Sequence, residues 1–293
     1  MMDSTGAIVV GVDGSEQALR AVRWAAVEAA QRNLRLHLIS GVDPALVGYY
    51  GVGLPIPQEA FDQVERQAEQ ELTDAAAAAH EAASGVVVTT ARSQASPVPM
   101  FLDLSKRARL IVLGASGRGG FEGMLTGSTA VSVVAHSECP VVVVRGDERR
   151  PGPVVVGVDG SPTSISALGV AFEEAAWRGV PLVAVHAWSD RDYATTIPVE
   201  YGLLQTEPSD AEQARVLSES LAGWQEKHPD VTVERVVVRD RPRRQLLDWS
   251  ARAQLVVAGS RGRGGFRGLL LGSTSQALLH YAECPVLIVR PQD

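Results

Sequence analysis

Short, wholly apolar runs alternate with amphipathic stretches along this chain, and the alternation is regular enough to number the elements. The second half shows it best. "PVVVGV" (153–158) is a continuous apolar run of the kind a strand covered on both faces needs. Ser161 followed by Pro162 is a helix N-cap with proline at the first helical position, which predicts a helix to about Arg178. "PLVAVHAW" (181–188) is a second strand. After a loop, Ala214, Leu217, Leu221 and Trp224 keep helical spacing within "SDAEQARVLSESLAGWQEKH" (209–228). "VTVERVVV" is a third strand, "PRRQLLDWSARA" a third helix and "QLVVAGS" a fourth strand. "GSTSQALLHYAE" is a fourth helix, and "PVLIVR" closes as a fifth strand. The first half runs in the same order, with an alanine-rich second helix around Ala75–Ala79. Five strands alternating with four helices predict an α/β fold, an open parallel sheet with helices on both faces.

That the two halves agree is no coincidence of pattern. "IVVGVDGS" (8–15) returns as "VVVGVDGS" (154–161), and "ECPVVVVR" (138–145) as "ECPVLIVR" (283–290). Asp13 and Asp159, Gly127 and Gly272, Cys139 and Cys284 stand 146, 145 and 145 residues apart. A near-constant offset over half the chain means two tandem copies of one domain, residues 1–146 and 152–293, joined by the polar, proline-bearing "GDERRPGP".

Composition narrows the function classes. The 293 residues are 45% hydrophobic and 21% charged, ordinary for a globular protein of roughly two domains. The net charge of −7 argues against nucleic acid or an anionic membrane surface as a partner. Two cysteines make neither a disulfide framework nor a metal cluster, and no apolar run is long enough to span a membrane, so a cytoplasmic location is expected. Cys139 and Cys284, each before a proline and the last strand, read as small core residues.

In an open parallel sheet a ligand sits beyond the carboxyl ends of the strands, where strand order reverses. Two strand ends are unusual in each copy. The first strand ends in Gly11-Val12-Asp13 or Gly157-Val158-Asp159. The fourth runs into a G-x-x-G-x9-G-S loop: Gly114, Gly117, Gly127 and Ser128, then Gly259, Gly262, Gly272 and Ser273. Such glycines allow backbone N–H groups to turn toward phosphate oxygens, and Gly-Ser-Thr opens a helix whose first N–H groups favour an anion. Arg118 and Arg263 lie inside the loops, where they offset phosphate charge. A Walker A loop is excluded because no Gly-Lys pair exists, and "GVDGSE" lacks the third glycine of a dinucleotide fingerprint.

The glycine pattern, the strand-1 "GVDGS" and the terminal "CPVxxVR" resemble the universal stress protein family, over residues 6–146 and 152–291. The tandem arrangement resembles its two-domain actinobacterial members. The resemblance implies the strand order 3-2-1-4-5 and ATP bound at the ends of strands 1 and 4. It places Asp13 and Asp159 near ribose or phosphates, with Mg²⁺ entering as Mg-ATP, and Gly11 and Gly157 where the backbone approaches the nucleotide. Gly41 and Val42, with Ala187 and Trp188, are expected to meet adenine. Asp43 and Asp190 either bond ribose or adenine or simply start a loop. The phosphates fall to Gly114, Ala115, Ser116, Gly117, Arg118, Gly119, Gly120, Gly127, Ser128 and Thr129. In the second copy they fall to Gly259, Ser260, Arg261, Gly262, Arg263, Gly264, Gly265, Gly272, Ser273, Thr274 and Ser275. Arg261 for Ser116 and Arg267 for Glu122 make the second loop more cationic, so it is expected to favour a triphosphate more.

The remaining features are weighed against plainer roles. His186 ends a strand and reads as a packed or capping residue. Arg239 and Arg241 read as a solvated turn at the ligand end of the sheet. The loops 47–58 and 190–208 are candidate lids. The very apolar fifth strand needs its edge covered, by the other repeat or in a homodimer. With no lysine in either loop and no acid–base pair, the expected function is a nucleotide-dependent stress and growth regulator read by a protein partner. A slow ATPase of the adenine-nucleotide hydrolase-like superfamily and a cyclic-AMP binder are the alternatives.

Overall fold

A computed structural model describes residues 4–41, 58–117, 126–188, 209–263 and 270–291, without the side chains of Gln58, Ala60 and Phe61. The chain divides into two units, Met1–Glu148 and Arg149–Asp293. The first contains β1 (Ile8–Gly11), α1 (Glu16–Gln31), β2 (Leu36–Gly41), α2 (Gln58–Ala82), β3 (Val88–Ser93), α3 (Pro97–Ser105), β4 (Leu110–Gly114), α4 (Ser128–His136) and β5 (Val141–Val144). The second contains β6 (Val154–Gly157), α5 (Pro162–Arg178), β7 (Leu182–Trp188), α6 (Asp210–Leu221), α7 (Trp224–Lys227) and β8 (Val233–Arg239). It continues through α8 (Pro242–Ser250), β9 (Leu255–Gly259), α9 (Ser273–Tyr281) and β10 (Val286–Val289).

Each unit holds a parallel five-stranded sheet in the order 3-2-1-4-5: β3-β2-β1-β4-β5 and β8-β7-β6-β9-β10. The central strands are apolar throughout because helices cover both faces. Ile8, Val9 and Val10, and equally Val154, Val155 and Val156, are fully buried. The edge strands β3 and β8 instead mix exposed and half-buried positions, which is why their sequences carry Thr, Arg and Glu. In the first unit α1 packs against α2 and α3 against α4.

Local chemistry starts the helices where expected. Ser15 and Ser161 cap α1 and α5, accepting from the N–H groups of Ala18 and Ser164 at 3.2 Å each. Gly179, with φ of 63°, ends α5 in the left-handed conformation. Near the end of each first helix an i,i+4 ion pair is buried, Glu28 with Arg32 and Glu174 with Arg178.

One expected element is broken. The helix read through Trp224 stops at Leu221, and Gly223 at φ of 79° starts the separate turn α7. The break lets Trp224 stack on Phe172, with ring centroids 6.1 Å apart, while Lys227 lies 4.8 Å over the indole. Gly169 of α5 makes the room; a Cβ there would lie on the Trp224 ring. The candidate lids fall almost wholly outside the described residues, and α2 begins at Gln58, the last position of the first.

Candidate nucleotide site

Adjacency of strands 1 and 4 brings the two unusual strand ends together in both units. β1 pairs with β2 and β4, and β6 with β7 and β9, so each strand-1 aspartate emerges at the reversal point of its sheet.

The "VDGS" turn holds that aspartate. Gly14 and Gly160 take φ of 75° and 77°, which swings the next residue back toward the carboxylate. Ser15 then donates to Asp13 Oδ1 from its backbone N–H at 3.0 Å and from its hydroxyl at 2.6 Å. In the second unit the Ser161 N–H donates to Asp159 Oδ1 at 2.9 Å, and the Arg263 N–H donates to Oδ2 at 2.8 Å. Asp159 thus fastens the start of its glycine loop. Burial alone would push the Asp159 carboxyl up, but the bonds from Ser161, Arg263 and Ser164 together hold it below the usual carboxylate range. His186 stands behind this turn. It is buried, with Nδ1–H donating to Val158 O at 2.6 Å and Nε2 lying 2.8 Å from the Gln213 side-chain oxygen. A packed, capping role is what the structure gives it.

The glycine loop is pinned at both ends. Gly127 N–H donates to Ala115 O at 2.7 Å, and Gly272 N–H to Ser260 O at 2.8 Å. The N–H groups of Ala115 and Ser260 are in turn spent on Val144 and Val289 of the last strands. Both residues are buried, and these bonds anchor the loop. The buried Ser275 hydroxyl donates to Gly259 O at 2.7 Å.

The glycines divide into two kinds once their surroundings are compared. A Cβ on Gly11 would lie 2.7 Å from the Phe101 ring, and one on Gly157 2.7 Å from Leu246 Cδ1. At Gly114 it would meet the Gln17 backbone at 2.7 Å, and at Gly259 Thr163 Cγ2 at 2.8 Å. At Gly114 and Gly259 the backbone of the first helix comes close to the added carbon, whereas at Gly11 and Gly157 its neighbour is the end of the Phe101 or Leu246 side chain. At Gly117 and Gly262 a Cβ would land on Oδ2 of Asp13 and Asp159. Gly127 and Gly272 differ. Their φ values of −68° and −73° suit any residue, and among the described residues a Cβ would meet nothing closer than 3.6 and 3.5 Å, which is ordinary contact.

Those two glycines are the N-caps of α4 and α9, and as glycines they bring no side chain to cap the helix. The first N–H groups, at Ser128-Thr129 and Ser273-Thr274, therefore begin each helix beside the loop. In the second unit a cavity of about 450 Å³ is lined by Gly160, Ser161, Pro162, Thr163, Arg261, Gly262 and Arg263. Gly41 ends β2, where an added Cβ would lie 3.3 Å from Ala95 O. Ala187 and Trp188 are buried at the end of β7, with Arg239 lying 5.4 Å over the indole ring and Trp188 Nε1 lacking a hydrogen-bond partner among the described residues. Val42, Asp43, Arg118, Gly119, Gly120, Glu122, Asp190, Gly264, Gly265 and Arg267 lie outside the described residues. Among the described residues no three His, Cys, Asp or Glu side chains group to hold a metal.

The sequence pattern of the universal stress protein family matches residues 5–145 and 152–290, once for each unit. The chain belongs to the universal stress protein family. It is 43% identical over 291 residues to the universal stress protein Rv2005c of Mycobacterium tuberculosis, covering 97% of this chain and 96% of that one. A second from the same organism, Rv2623, is 40% identical over 296 residues, covering 98% and 97%. The fold matches a crystal structure of a universal stress protein from Archaeoglobus fulgidus with a TM-score of 0.72 over the whole of both chains, at 19% identity. No helix among the described residues is long and apolar enough to cross a membrane.

Residues outside the sequence motifs shape the site as well. Phe101, Leu246, Gln17 and Thr163 dictate four of the glycines, and Glu71 of α2 and Val216 of α6 press on the turn glycines. The constant offset pairs Glu71 with Val216, but only the folded chain shows that both reach the turn.

Proposed function

We propose that this universal stress protein binds ATP, one molecule per repeat, and acts as a nucleotide-dependent regulator of stress and growth. The observation that carries the reading is the pair Gly127 and Gly272. Each is a glycine that no described neighbour crowds, placed at the N-cap of a helix beside a glycine loop pinned at both ends. A group pressing against the backbone from outside explains that choice in both repeats, and a helix N-terminus suits an anion. Ser128, Thr129, Ser273 and Thr274 would donate to the terminal phosphates, and Arg261 and Arg263 would offset their charge. The triphosphate would bring Mg²⁺ with it, within reach of Asp13 and Asp159.

Binding without fast turnover is the better-supported form of this reading. Asp159 accepts from backbone N–H groups through both oxygens and is held below the usual carboxylate range, which makes it a weak general base. Sedimentation of the full chain tests a homodimer. The deciding experiment is calorimetric titration of the full chain with ATP, ADP and cyclic AMP, with and without Mg²⁺. Saturable ATP binding supports the reading. Absence of binding by all three removes it, and cyclic AMP binding tighter than ATP replaces ATP as the ligand.

A further inference from the structure

The cavity of the second unit opens at the start of α5, and none of its lining residues belongs to α9. Residues 160–163 are the turn after β6 and the beginning of α5, and residues 261–263 open the glycine loop. The end of β9 lies between the two helix starts. On one side the Gly272 N–H, at the N-cap of α9, donates to Ser260 O at 2.8 Å. On the other, a Cβ on Gly259 would lie 3.2 Å from the Thr163 backbone.

The walls of this cavity suit an anion. α5 has no acid in its first turn, so nothing there offsets the positive end of the helix. Arg261 and Arg263 are exposed, and neither guanidinium is in an ion pair among the described residues. Thr163 is only 8% exposed, yet its hydroxyl makes no hydrogen bond among the described residues. Its methyl faces β9, with Cγ2 2.8 Å from a Cβ placed on Gly259, so the hydroxyl is what this buried side chain turns to the cavity. A hydroxyl so deeply placed ordinarily has a partner. Asp159 carries the opposing charge, but both of its oxygens already accept from N–H groups, those of Ser161 and Arg263.

We propose that this cavity is an anion site of its own, built for a phosphate group that the Thr163 hydroxyl, the two guanidinium groups and the α5 N-terminus hold together. It is separate from the helix start at α9. The group is either inorganic phosphate or the far end of a ligand that also fills the cradle. The site stands on its own residues and does not rest on the nucleotide reading.

Phosphorus NMR titration of the full chain with inorganic phosphate, at fixed ionic strength, tests it. Wild type should bind phosphate saturably. Thr163→Val keeps the side chain's shape, removes only the hydroxyl and should weaken phosphate about tenfold. Arg261→Ala combined with Arg263→Ala should weaken it at least about tenfold and flatten its salt dependence. Gly272→Val, which obstructs the start of α9 instead, should change it by less than about twofold. Urea unfolding at the wild-type midpoint shows that each variant keeps its fold. Saturating ATP then tells the two sources apart: displaced phosphate assigns the cavity to the far end of the nucleotide, and simultaneous binding assigns it to free phosphate. Absence of saturable phosphate binding overturns the proposal. So does a phosphate that Gly272→Val removes and Thr163→Val leaves in place. If phosphate binds as described while ATP, ADP and cyclic AMP all fail to bind, the nucleotide reading falls and this site stands.

Discussion

Two copies of one motif can be built to the same plan and still present different surfaces to a ligand. In both repeats a strand-1 aspartate, a serine-capped first helix and a glycine loop pinned to the last strand recur nearly atom for atom. What lies over that frame does not recur. The first repeat sets Glu71 against its turn where the second sets Val216. The scaffold is kept by packing, which tolerates few substitutions.

The largest test of the comparison blocks one copy at a time. Gly272→Val should lower ATP affinity at the second site by about a hundredfold, because a side chain would stand between phosphate and the helix N–H groups; losing two charge-assisted hydrogen bonds has that scale. The first site should be untouched, and Gly127→Val should do the reverse, with titration reading both. Gly262→Ala, the substitution that the glycine pattern alone suggests, is a poorer probe, since its methyl would strike Asp159 before it met any ligand.

Stability should show the shared frame. Glu28→Gln and Glu174→Gln each leave a buried arginine without its carboxylate partner and should cost about 3 kcal/mol apiece, measured by urea unfolding. Similar losses in both repeats would confirm equivalent scaffolds. Trp224→Ala should cost about 2 kcal/mol in the second repeat, less than a fully buried indole because Trp224 is only partly covered.

The smallest effect is the pH dependence of the loop clamp. Asp159 is held below its ordinary value, so its contribution is present above the unfolded pKa of about 3.9 and is lost as pH falls through the folded value. Amide exchange at Arg263 should therefore accelerate in that acid window, and Asp159→Asn should show the faster exchange at neutral pH. An Arg263 amide that exchanges alike in both proteins would remove the clamp.

The sequence by itself determined the duplication, the order of strands and helices and the family, because apolar runs, caps and a constant offset are written locally. It also located the loop and the aspartate. It could not sort the glycines: Gly11 yields to Phe101, and Gly114 to the Gln17 backbone, contacts made across 90 or more residues. Nor could helical spacing show that α6 breaks at Gly223 so that Trp224 can reach Phe172. Only the tertiary structure decided which small residues serve the protein's own packing and which leave room for something else. Close approach belongs to pairs of elements distant in the chain, and no local pattern records it.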